Sequence, residues 1–98
     1  MNKLPEDVAH YKSTPEFTEN TIPAGLLRSH STAAGVWGRI KVLEGKLLYR
    51  EFEPVLAEHV LTPDHPGIIE PQAKHEVAAI GPVRHDARRR MRPRRLTG

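Results

Sequence analysis

The chain carries six histidines in 98 residues and no cysteine. With no thiolate to compete, imidazole is the nitrogen donor on offer for a metal, and imidazole suits Zn, Cu, Fe and Ni. The chemistry depends on which histidines converge. Period-two alternation puts His30 on one strand face with Leu26, Arg28 and Thr32. His75 opens a second apolar run with Val77 and Ala79. Both sit among hydrophobes on predicted strands, which directs both toward the inside of a barrel. His10, His59, His65 and His85 fall in an N-terminal arm, near a strand start, in a turn and in a C-terminal tail, and read as surface residues. Arg28 shares the His30 face. A guanidinium fork matches a carboxylate or another oxyanion, so Arg28 is the candidate for holding an anionic ligand, with a salt bridge to a rim glutamate as the alternative. Trp37 and Tyr49 read as packing residues. The sequence shows no Gly-rich phosphate loop and no Ser-His-Asp pattern in a credible context.

Strands must place these residues, because nine prolines and seven glycines interrupt the chain too often for long helices. Residues 1–23 read as an extended arm from which Tyr11, Phe17 and Ile22 tuck under a sheet. A first strand runs from Leu26 to Thr32. Trp37 to Leu43 is a second, with Val36, Gly38, Ile40 and Val42 on one face and Trp37, Arg39, Lys41 and Leu43 on the other. Glu44-Gly45 is predicted as a hairpin turn, since glycine takes positive φ at little cost. Lys46 to Glu53 is the return strand, ended by Pro54. Short strands follow at 58–61, 68–69 and 75–80, with turns at 62–67 and at Gly81-Pro82. Many short strands between Gly/Pro turns predict an all-β sandwich or barrel.

The length predicts one domain, and 38% hydrophobic residues suffice for a small core. No apolar run approaches the ~20 residues of a membrane helix, and no secretory signal opens the chain. The absence of cysteine fits a cytoplasmic setting. The net charge of +3 is unevenly spread. Residues 1–83 hold eight Lys/Arg and eleven Asp/Glu, whereas residues 84–98 hold seven Arg and one Asp. The body is mildly acidic and all the basicity lies in the tail. Residues 85–98 have little to bury and are predicted to be disordered. A nucleic-acid contact through this Arg-rich tail is the lesser alternative. Arg/Pro/Ala-rich sequence is also what an out-of-frame reading of a GC-rich gene produces, so a frameshifted C-terminus is the preferred explanation of the change in composition.

The stretch Gly35-Val36-Trp37-Gly38-Arg39-Ile40-Lys41-Val42-Leu43-Glu44-Gly45-Lys46-Leu47 resembles the first motif of cupins, and Pro66-Gly67-Ile68-Ile69-Glu70-Pro71-Gln72-Ala73-Lys74-His75-Glu76-Val77 resembles the second. Ser13-Thr14-Pro15-Glu16-Phe17, Pro23 to His30, Trp37-Gly38 and Pro71 to His75 together resemble the small TehB/YeaR-like domain family, which is linked by name to tellurite resistance. The resemblance implies a single-domain, cupin-like double-stranded β-helix, a jelly roll barrel, over residues 1–84. It also implies that the last strand is missing, with the 85–98 tail in its place. A divalent metal such as Zn or Fe, or a small-molecule ligand, would sit in the barrel mouth. The cupin ligand set is incomplete. Thr32 stands where a second motif-one histidine belongs, Gly38 where the glutamate belongs, and the second motif is one residue short. His30 and His75 remain, with Glu70 or Gln72 as an oxygen ligand. A metal there would support metal-dependent chemistry; without one the domain would be a small-anion-binding or sensing module. Cupin analogy further implies a homodimer through sheet edges.

Overall fold

The computed structural model describes residues 3–53 and 55–92. The described chain is all-β: β1 Ala9–Ser13, β2 Phe17–Thr18, a short 3₁₀ turn Ala24–Leu27, β3 Trp37–Glu53, β4 Ala57–Leu61, β5 Gly67–Ile69 and β6 Lys74–Met91. All pairings are antiparallel and make one sheet in the order β1-β6-β3-β4, with β2 also on β6 and β5 also on β3. Among the described residues the sheet does not close on itself, so the expected barrel is an open, bent sheet. The predicted strand over 26–32 is also corrected. After Pro23 the Leu26 N–H bonds the Pro23 carbonyl at 2.9 Å, which closes the 3₁₀ turn, and only His30 pairs, in an isolated bridge to His75.

Two predicted hairpin turns are bends instead. β3 runs through Glu44-Gly45 and β6 through Gly81-Pro82, and the two strands stay paired on both sides. Gly45 faces Val83 and Lys46 faces Ile80, which leaves Gly81 and Pro82 as extra residues. Such bulges bend a strand and sharpen its twist. Gly45 has φ +81°, and a Cβ there would lie 2.1 Å from the Pro82 carbonyl oxygen. The bend also shifts the burial phase of β3, from Gly38, Ile40 and Val42 to Leu47 and Tyr49.

The ribbon folds back on itself at this bend. Gly38 pairs with Arg89 at one end and Glu51 with His75 near the other. A straight strand from Gly38 to Glu51 would span ~43 Å. Yet Gly38, His75 and Arg89 line one cavity. One layer therefore holds β1, β2, β5, the first half of β3 and the second half of β6. The other holds β4 and the remaining halves. Between them lies the core: Ile40, Val42, Leu47, Tyr49, Leu61, Ile69, Val77, Val83 and Ile22, with Phe17, Leu26 and Ala87 packed against it.

The disorder predicted from residue 85 is corrected as far as Met91, and no strand is missing at this place. Residues 84–91 pair with β1 and β2 on one side and β3 on the other. Arginines do not prevent a strand whose alternate positions, Val83, His85 and Ala87, face the core while its other side chains reach water. Residues 93–98 of the predicted tail lie outside the described residues.

Candidate functional site

The cavity between the layers has a volume of about 60 Å³, room for a few water-sized groups. Phe17, Leu26, Ile40 and Ile69 give it an apolar wall. His30, His75 and His85 supply its imidazoles. Gly38 leaves the space open: a Cβ at that position would come within 3.0 Å of the Ile69 side chain.

The backbone brings His30 and His75 together. Each donates its backbone N–H to the other's carbonyl, at 2.8 and 2.9 Å, and the ring centroids lie 4.2 Å apart. The His75 ring is buried, and its Nδ1–H donates to the Ala73 carbonyl at 2.9 Å. A carbonyl can only accept, so in the neutral ring Nε2 carries the lone pair. Burial holds the His75 pKa below the usual histidine value despite that hydrogen bond. His30 is lowered in the same way, by burial first and by the Arg89 charge as well, against a hydrogen bond to the Ser31 backbone.

His85 is 3% exposed, and neither ring nitrogen has a hydrogen-bond partner. Its ring packs against Phe17 at 5.7 Å, and it stands opposite Val42 on β3. Burial lowers its pKa, with Asp86 opposing. The Tyr49 hydroxyl is likewise buried without a partner, its ring 5.6 Å from that of His75, and burial raises its pKa above the usual phenol value. The hydroxyls of Thr14 and Thr32 are committed to structure: Thr14 accepts the Ala87 N–H, and Thr32 donates to the Val36 carbonyl and accepts the Gln72 N–H. At the mouth stands Arg89, paired across the strands with Lys12. Arg89 and Lys12 also line an adjoining depression with Thr14 and Phe17.

Of the residues singled out in the sequence, His30 and His75 meet in this cavity, whereas Arg28, Glu70 and Gln72 do not line it. Arg28 is exposed beyond the 3₁₀ turn. Glu70 follows β5, where its charge helps raise the pKa of Glu51. Gln72 is exposed with φ 62°, and its N–H serves Thr32. Among the described residues no three His, Cys, Asp or Glu side chains converge in metal-binding geometry. His85 and Arg89 were missed by sequence reasoning. The signal that could have found His85 is its place in the Val83, His85, Ala87 alternation.

A family model described as the TehB-like domain matches residues 12–86. The chain belongs to the TehB-like domain family. Within it, the chain is 40% identical over 74 residues to TehB of Haemophilus influenzae, a probable S-adenosyl-L-methionine-dependent methyltransferase. That match covers 71% of this chain and 26% of the relative, so the TehB-like domain spans about a quarter of that protein. YeaR of Escherichia coli K12 is 30% identical over 91 residues, covering 82% of this chain and 74% of YeaR. The crystal structure of H. influenzae TehB superposes with a TM-score of 0.82 at 33% identity, over 89% of this chain and 32% of that one. A crystal structure of an E. coli K12 protein gives a TM-score of 0.86 over 96% of this chain and all of that one; at 20% identity this likeness concerns the fold alone. The match to the TehB-like domain ends at Asp86, so it includes His30, His75 and His85 and stops before Arg89.

Proposed function

We propose that this TehB-like domain binds a small, weakly acidic oxyanion between its two sheet layers, in a cupin-like manner and without a metal. The observation that carries the reading is His85, 3% exposed beside the cavity with both ring nitrogens unpartnered. A buried polar group without a partner costs ~1–3 kcal/mol, a cost that a ligand hydrogen bond would offset. The other groups select the ligand. Nε2 of neutral His75 accepts a hydrogen bond, so it takes an acidic O–H. The His85 N–H donates to an oxygen. Arg89 on the cavity and Lys12 in the adjoining depression favour a negative charge. A fully deprotonated anion would instead bind with uptake of a proton by an imidazole. The tellurite-resistance context implied by the resemblance fits this ligand class.

A divalent metal on His30 and His75 is the second reading, favoured by the His75 Nδ1–H hydrogen bond, which orients the ring as metal-ligating histidines commonly are. Its donor set is short by at least one side chain among the described residues. The two readings separate in one experiment. Tellurite, sulfite and phosphate are titrated calorimetrically into the protein in two buffers of different ionisation enthalpy, beside elemental analysis of the protein as purified. We expect binding of at least one oxyanion, a buffer-dependent heat that reports proton exchange, and at least tenfold weaker binding in H75F and H85F. Stoichiometric Zn or Fe that is lost in H30A and H75A would overturn the metal-free reading.

A further inference from the structure

A second site lies on the outward face of the layer that carries β1; of its members Arg88 also borders the cavity. Of the eight arginines among the described residues, three have carboxylate partners: Arg50 pairs with Glu58 and Glu76, Arg84 with Glu44 and Glu16, and Arg92 with Asp7. Arg39, Lys41, Arg88 and Arg90 have none among the described residues. The register gathers these four. Arg39 stands directly opposite Arg88, Arg90 opposite Trp37 on one side and His10 on the other, and Lys41 opposite Asp86. Residues directly opposite in an antiparallel pair have Cβ atoms ~4.5–5.5 Å apart, and like charges so placed destabilise the sheet. Alternation turns these side chains away from Gly38, Ile40 and Val42, which are buried. Asp86 is the one carboxylate in the array.

We propose that this array is a binding surface for single-stranded nucleic acid. Guanidinium groups pair with phosphates in a forked geometry, and a row of them along two strands follows a phosphate backbone. Half-buried Trp37, at the end of the array, offers an aromatic face on which a base stacks. The like-charge pair Arg39–Arg88 is relieved when a phosphate sits between the two. An anionic lipid surface is the other source of phosphate, but the large hydrophobes exposed beside the array are Tyr11 and Met91, too small an apolar face to enter a bilayer.

The test uses the full chain and a fluorescein-labelled twelve-residue oligothymidylate, followed by anisotropy between 20 and 200 mM salt. Contact with three or four phosphates gives a slope of log K against log salt of about −2 to −3. R39E with R88E should weaken binding at 20 mM salt at least tenfold. K46E with K74E, which changes the net charge equally, should stay within about threefold of wild type. R39S with R88S should also weaken binding while leaving the melting temperature equal or higher, because it removes a like-charge pair; this separates lost contact from lost fold. No binding at 20 mM salt overturns the proposal. So does equal loss in the K46E/K74E control, or preferential binding to phosphatidylserine vesicles over the oligonucleotide.

Discussion

His85 joins a titratable ring to an apolar setting, which makes it the residue through which pH acts on this fold. Its unfolded value is that of an ordinary histidine, 6.5, and burial lowers it in the folded state, as it does for His30 and His75. Below the unfolded value the unfolded chain binds more protons than the native one, so stability falls with falling pH. The stability from these rings is fully present above about pH 7.5 and is lost as pH falls through 6.5 toward the native values. The melting temperature should therefore be flat from pH 7.5 to 8.5 and decline below pH 6.5. H85F should reduce that decline. It should also leave the protein at pH 7.5 as stable as wild type or more so, by up to ~1–3 kcal/mol, since it removes two unsatisfied polar atoms without opening a large cavity. Thermal melts of the two proteins across this range check both statements. An unchanged decline in H85F would assign the acid sensitivity to the His30–His75 pair instead.

The bent ribbon is the element that sets the architecture, and its two glycines are not equivalent. A Cβ on Gly45 would meet the Pro82 carbonyl oxygen at 2.1 Å, whereas one on Gly81 would meet nothing within 4 Å. Both have positive φ, at 81° and 68°. G81A should cost only the backbone strain, about 1–2 kcal/mol. G45A adds displacement of the opposing strand and should cost about 3 kcal/mol or more. Urea denaturation of the two variants measures the difference. This element also shows where the sequence was legible. Ile40 and Val42 lie opposite the Arg39 and Lys41 face that alternation sends to water, and both are buried; Leu47 and Tyr49 are buried in the other phase, which period two carried through Gly45 does not give. The bend was not legible, because Glu-Gly and Gly-Pro supply positive φ and a break in pairing equally well to a hairpin and to a bulge. What decides is whether the flanking strands pair with each other or with a third segment, and that partner lies more than thirty residues away in β6.

For the whole molecule, the last described strand is the organiser: β6 pairs with β1, β2 and β3 and bridges to His30. The sequence concealed this because arginines dominate the composition after Arg84, while the core-facing residues there, among the described residues, are His85 and Ala87. A chain ending at Arg84 loses every partner of β1 and the Phe17–His85 pair, and it uncovers Ile40 and Val42. It should show no cooperative melt and should self-associate through the freed edge of β3, as read by calorimetry and light scattering. An unaltered melt would make residues 85–98 dispensable. The same topology governs the order of events during synthesis. Ala9 emerges early but pairs with Met91, and Trp37 pairs with Arg90. The β1 and β2 pairings and the first half of β3 on β6 thus wait for residues 84–91. β4 and β5 can pair with β3 before then, but β1 and the first half of β3 wait for the second half of β6, so these non-local pairings form late.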